Sequence, residues 1–214
     1  MDISQIVINE QSSICIDIGK KIYIDPFRFS EDINDADYIL FTHDHRDHFS
    51  PFDINLVIKE DTILIAPEIM EKDIRKYEYN QKLITVKPGE SYKTDDFEFE
   101  TVPMYNLKKP FHDIDDGFVG YILTIDGKRL YISGDIDKIP EAVNVKCDIA
   151  FVPIGGFYTM DYKEAAELIN EMKPGCVIPT HYGCGSGKIS DGDDFEELID
   201  PDIEVVLKLL NFEE

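Results

Sequence analysis

The 214-residue chain is short of positive charge: 21 Lys and Arg stand against 44 Asp and Glu, a formal net charge of −23. Such a field repels polyphosphate backbones, so nonspecific nucleic-acid binding is disfavoured, although diffuse acidity also serves plain solubility. No apolar run is long enough to cross a bilayer. Met1-Asp2-Ile3-Ser4 has neither the basic stretch nor the long apolar stretch of a secretory signal. Only four cysteines occur, Cys15, Cys147, Cys176 and Cys184, widely spaced and never as C-x-x-C. A structural zinc knuckle is therefore not expected, and the thiols read as reduced core residues of a cytoplasmic protein. No serine stands in a G-x-S-x-G setting, so a serine nucleophile is not expected. The stretch Gly183 to Lys188 fails the phosphate-loop spacing, because Tyr182 sits where the first glycine belongs and Ile189 follows the lysine. It reads as a flexible lid. There is no low-complexity linker and no convincing repeat, and a single domain over residues 1–214 is expected.

Against these absences, three of the five histidines fall within six residues, in Thr42-His43-Asp44-His45-Arg46-Asp47-His48. Imidazole and carboxylate are ligands that zinc, manganese and iron accept. Four such groups in six residues exceed what one ion needs from one loop, which suggests two adjacent ions. His43 and His45 project to the same side of an extended backbone. Asp47 and His48, past a turn, can face a second position. The preceding Tyr38-Ile39-Leu40-Phe41 reads as a buried strand that delivers the loop. Asp44 and Arg46 read as outward-facing or paired.

Short apolar runs separated by turns fill the rest. Strands are expected at Gln5–Asn9, Ser13–Ile18, Lys21–Ile24, Tyr38–Thr42, Thr62–Ala66, Leu83–Val86 and Phe97–Val102. Ser50-Pro51 opens a short helix to about Lys59, and Ile69–Tyr77 is helical. The second half follows suit, with strands at Phe118–Ile125, Arg129–Ser133, Ile149–Pro153 and Cys176–Pro179. A helix capped by Asp161 and Glu164 runs to Met172. The tail from Asp191 to Glu214 carries an acidic helix and a strand-like Ile203–Leu207.

The H-x-H-x-D-H motif after an apolar strand resembles the signature of the metallo-β-lactamase-fold hydrolases. Ile22-Tyr23-Ile24-Asp25-Pro26, Ser133-Gly134-Asp135 and Pro179-Thr180-His181-Tyr182-Gly183 resemble that family's later motifs in order, so the likeness covers roughly residues 5–185. Val102-Pro103-Met104-Tyr105-Asn106, Lys109-Pro110-Phe111-His112, Gly117-Phe118-Val119-Gly120-Tyr121 and Pro153-Ile154-Gly155-Gly156 resemble the branch that includes ascorbate-phosphate lactonase. The resemblance implies an α+β fold, the four-layer αβ/βα sandwich of the metallo-β-lactamase type. It also implies metal ligands His43, His45, Asp47, His48, Asp135 and His181, with Asp135 bridging two ions. Asp25 would support a ligand histidine from behind. Many relatives carry a further histidine where this chain has Asn106.

The expected function is hydrolysis of a small phosphodiester, lactone or related ester by a water activated between two divalent transition-metal ions, zinc first, with manganese or iron as alternatives. Asp47 and His112 are the candidate catalytic groups. His112 is open to three roles: metal ligand, proton donor to the leaving group, or substrate contact. Asn106, Lys109, Gly155 and Gly156 are candidate substrate contacts, the two glycines through backbone N–H groups. The expected partner is a small molecule, phosphorylated or not, rather than a membrane or nucleic acid, and a homo-oligomer is compatible. The alternatives are a nuclease or RNA-processing hydrolase, an iron-binding redox module, and a catalytically reduced scaffold suggested by Asn106.

Overall fold

A computed structural model describes residues 2–209 of the chain. These divide into two compact units, residues 2–87 with 209, and residues 88–208. Each unit is built on one sheet.

The first unit orders its strands as β1 (Ile6–Ile8), β2 (Ile14–Asp17), β3 (Lys21–Ile24), β4 (Tyr38–Leu40), β5 (Ile63–Pro67) and β6 (Lys82–Val86), in sequence order across the sheet. β1, β2 and β3 pair antiparallel through short turns. From β3 onward the pairing is parallel. β4 is buried throughout, as expected of a parallel strand covered on both faces, which is why it reads as an uninterrupted apolar run. Helix α1 (Pro51–Val57) starts where Ser50 accepts from the Asp53 amide and Pro51 takes the first turn. The second expected helix is split: Glu68–Met70 form a 3₁₀ turn before α2 (Glu71–Lys76). Phe41, Phe49, Ile54, Leu64, Met70 and Ile74 pack together in the core of this unit.

The second unit has β7 (Ser91–Lys93), β8 (Glu98–Pro103), β9 (Val119–Ile125), β10 (Lys128–Ile132), α3 (Pro140–Val143), β11 (Ile149–Pro153), α4 (Tyr162–Met172), β12 (Cys176–Thr180), α5 (Asp191–Glu196) and β13 (Glu204–Val205). Its sheet runs β13-β12-β11-β10-β9-β8-β7. Here too an antiparallel set, β7 to β10, passes into parallel pairs, β10 to β13. α4 begins on the expected capping box, with Asp161 accepting from Lys163 and Glu164, and Glu164 accepting from Asp161. β7 and α3 were not expected. β7 is a short, largely exposed edge strand, and α3 has four residues, too few for periodicity to register. The strand-like tail shrinks to Glu204–Val205, and positions 210–214 of that tail lie outside the described residues.

In both sheets the chemistry-bearing residues follow the carboxyl ends of strands. Asp25 follows β3, the histidine motif follows β4, Asp135 follows β10, Gly155 follows β11 and His181 follows β12. Open sheets of parallel strands gather ligands at that end. None of the described helices is long and apolar enough to cross a membrane.

Candidate metal centre

In the first unit the loop after β4 alternates as the sequence suggests: His43 is buried and His45 half-buried, while Asp44 and Arg46 are exposed. The amides of His48 and Phe49 both donate to the His45 carbonyl, a turn that brings His48 back beside His43. Their ring centroids are 4.0 Å apart, and those of His43 and His45 are 4.7 Å apart. Asp47, half-buried, places a carboxylate oxygen 3.7 Å from His48 Nε2.

Behind these rings lies Asp25, fully buried. Its Oδ1 accepts from the Thr42 amide at 2.8 Å, and its Oδ2 accepts from the Thr42 hydroxyl at 2.5 Å and meets His48 Nδ1 at 2.8 Å. Burial pushes this carboxyl above the ordinary carboxylate range, while His48 and Thr42 pull it back down. The network assigns protons by elimination. Asp25 accepts a hydrogen bond from the protonated Nδ1 of His48. The one hydroxyl proton of Thr42 goes to Asp25, so Thr42 Oγ1 accepts from His43 Nδ1 at 3.0 Å. Both imidazoles then carry their lone pair on Nε2. This is the arrangement in which a carboxylate fixes the tautomer of a metal-binding histidine. Asp25, His43 and His48 bring ligand atoms within 4.8 Å of one another.

The second unit repeats the logic. The hydroxyl of Ser186 donates to the His181 carbonyl at 3.2 Å, so it accepts from His181 Nδ1 at 3.0 Å. His181 Nε2, left as a lone pair, faces Asp135 Oδ2 at 3.3 Å, both residues being buried. A lone pair and a carboxylate oxygen turned toward each other at that distance suit a cation held by both. The buried, oxygen- and nitrogen-rich donor sets of both units thus fit a divalent transition metal.

His112 is buried and is held in the opposite way. Asn106 Nδ2 donates to the Tyr158 carbonyl at 2.8 Å and lies 3.1 Å from His112 Nδ1. An amide nitrogen can only donate, so His112 Nδ1 accepts and its proton sits on Nε2. The Asn106 backbone N–H also donates to the His112 carbonyl at 2.8 Å, closing the loop on itself. Asn106 Oδ1 is buried with no hydrogen-bond partner.

Lys109, suggested by the sequence as an anion contact, is committed elsewhere. Its ammonium pairs with Asp137 and lies 3.7 Å from Glu164. Asp137 also accepts from the Leu107 and Lys108 amides, at 2.9 and 3.2 Å, so the ion pair clamps the loop that carries Asn106 and His112. Gly156 spends its amide proton on the Met160 carbonyl. Gly155 serves packing: a Cβ there would lie 2.1 Å from the His181 carbonyl oxygen and 2.5 Å from Ser186 Oγ. Gly155→Ala is expected to cost at least the overpacking penalty of about 1–3 kcal/mol. The readout is the melting temperature, and an unchanged value would show that this strand end has room to spare.

Sequence reasoning missed Thr42, Ser186 and the Tyr158 carbonyl. Ser186 lies in the stretch read as a lid, but that stretch is folded back on itself, with Cys184 bridged to Ser186. Asp25, His112, Phe157 and His181 all have left-handed backbones, with φ of 47°, 57°, 60° and 55°. Gln11, Arg28, Asn34, Glu78, Asp126 and Lys173, none of them a candidate site residue, share that conformation, so it marks turns as well as sites.

Residues 6–181 match the sequence model of the beta-lactamase superfamily domain. The chain belongs to that superfamily. Within the superfamily, a UPF0173 metal-dependent hydrolase of Pyrococcus abyssi (strain GE5) is 31% identical over 208 residues, covering 90% of each chain. A crystal structure of a protein from Parabacteroides distasonis ATCC 8503, provisionally described as a metal-dependent hydrolase, shares 32% identity and a TM-score of 0.79, over 96% of this chain and 93% of that one. A metallo hydrolase from the archaeon Ignicoccus hospitalis shares the fold, with a TM-score of 0.72 at 20% identity over 97% and 98% of the two chains. This superfamily member is thus a metal-dependent hydrolase, with the α+β fold of the metallo-β-lactamase type.

Proposed function

We propose that the protein hydrolyses a small phosphodiester, lactone or related ester, using two divalent ions, zinc first among them. His43, His45, Asp47 and His48 of the first unit and Asp135 and His181 of the second are the proposed ligands. The observation that carries the reading is the contrast in tautomers. His43, His48 and His181 are each hydrogen-bonded so that Nε2 offers a lone pair, whereas His112 is hydrogen-bonded so that Nε2 offers a proton. When bound, a divalent ion supplies Lewis acidity and a water acidic enough to attack at neutral pH.

The remaining work falls to side chains. Asp25 and Thr42 hold His43 and His48 in their ligand tautomers, and Ser186 does so for His181. Asp47 carries a half-buried carboxylate that can orient the attacking water. His112 donates its Nε2 proton to the departing oxygen, which balances the charge that builds there as the ester bond breaks. Asn106 keeps that proton on Nε2 and offers Oδ1 to a substrate donor. Cys15, Cys147 and Cys176 are free thiols, which suits the reducing cytoplasm where we place the protein.

The test is elemental analysis of purified protein, followed by assay of the zinc-loaded enzyme on a panel of phosphodiesters, lactones and phosphosugars. We expect stoichiometric transition metal and turnover of at least one ester class. Full activity in protein stripped of metal would sink the reading.

A further inference from the structure

A cluster of aromatic rings is built onto the scaffold of His112. Phe111, half-buried, precedes it in the chain. Its ring lies 4.9 Å from that of Tyr158 and 6.4 Å from that of Phe157, and the Phe157 and Tyr158 rings meet edge-on at 4.6 Å. The tie to His112 is direct, because Asn106 Nδ2 bonds the Tyr158 carbonyl and His112 Nδ1 together. Phe157 is 74% exposed and Tyr158 is 39% exposed. Phe157 also holds a left-handed backbone at φ 60°, a conformation unfavourable for a bulky side chain. Glycine would suit that position better. An exposed phenyl ring in a strained conformation gains only its contacts with Tyr158 and Phe111 from its own unit, so its placement points to something it receives.

Charge narrows the choice. Of the two nearby lysines, Lys109 is paired with Asp137 and Lys108 is exposed, so beside one open ammonium the loop offers a substrate much π surface. Offset or edge-on stacking of a planar group is the interaction such a surface provides.

We propose that Phe111, Phe157 and Tyr158 form a platform that receives a planar apolar group of the substrate beside His112. The natural substrate is then an ester bearing an aryl or flat unsaturated group, not a bare phosphosugar. This rests on the hydrolase reading of His112 given above, and it adds the substrate class.

The test compares phenylphosphonate with methylphosphonate, two inert anions that differ in the ring alone, titrated calorimetrically into zinc-loaded protein. Phenylphosphonate should bind about tenfold tighter. Phe157→Ala and Phe111→Ala should each shrink that ratio while leaving methylphosphonate affinity unchanged. A second readout needs no metal: saturation transfer from the metal-free protein to the ring protons of benzyl alcohol should be strong in the wild type and weak in the double variant. If neither phosphonate binds but the transfer and its loss are seen, the metal reading fails and the platform stands. A ratio near one, a ratio that survives both substitutions, or transfer indifferent to them overturns the platform. So does sedimentation showing a wild-type dimer that Phe157→Ala splits, since the rings would then be an interface between two copies.

Discussion

His112→Ala is expected to lower the hydrolytic rate by about 10²–10⁴-fold while leaving the metal content of the protein unchanged. The expectation follows from one hydrogen bond. Asn106 Nδ2 already has the Tyr158 carbonyl as an acceptor, so turning the amide over would set two oxygens against each other at 2.8 Å. The amide orientation is therefore fixed, and with it the His112 proton on Nε2. An imidazole in that state donates a proton and does not bind a metal through Nε2. The loss should shrink for nitrophenyl esters, whose leaving groups need no proton, and remain for alkyl esters. Initial rates on a matched pair of such esters, with metal analysis of the same samples, check it. Loss of metal from the variant would make His112 a ligand instead.

Asp25→Asn should weaken metal binding by about 10–100-fold. The carboxylate accepts from three donors, the Thr42 amide, the Thr42 hydroxyl and His48 Nδ1. An asparagine has one acceptor oxygen. If its nitrogen takes the place of Oδ2, His48 must accept on Nδ1 and carry its proton on Nε2, where it blocks the ligand lone pair. If its nitrogen takes the place of Oδ1, a buried amide faces a buried amide. Either arrangement also destabilises the fold by about 1–3 kcal/mol, the cost of a buried polar group without a partner. Zinc titration and a thermal melt of the metal-free protein read the two effects separately. Wild-type zinc affinity would show that the tautomer of His48 does not depend on Asp25.

The strands that carry the site were legible because parallel strands buried on both faces leave continuous apolar runs such as Tyr38–Leu40 and Ile149–Pro153. The histidine motif was legible because its spacing is local. β7 and α3 were not, since an exposed three-residue edge strand and a four-residue helix leave no periodic trace. The hydroxyls of Thr42 and Ser186 were invisible for another reason. Which tautomer a histidine adopts depends on a neighbour's geometry, and Ser186 sits in a glycine-rich stretch whose composition suggests mobility. Lys109 shows the converse: a lysine near a histidine invites a substrate anion on paper, but the fold brings Asp137 to it from the loop after β10.

The left-handed backbone of Phe157 bears on how this enzyme could be improved in the laboratory. Relief of that conformation by glycine is worth about 1–2 kcal/mol, more than the roughly 0.5–1 kcal/mol of added chain entropy that glycine brings. Because the ring is exposed, what is lost with it is confined to its contacts with Tyr158 and Phe111. Directed evolution scored on heat resistance alone would therefore enrich glycine at position 157 early. Evolution scored on turnover would reject the same change, so survival at this codon reports which of the two pressures a library has felt.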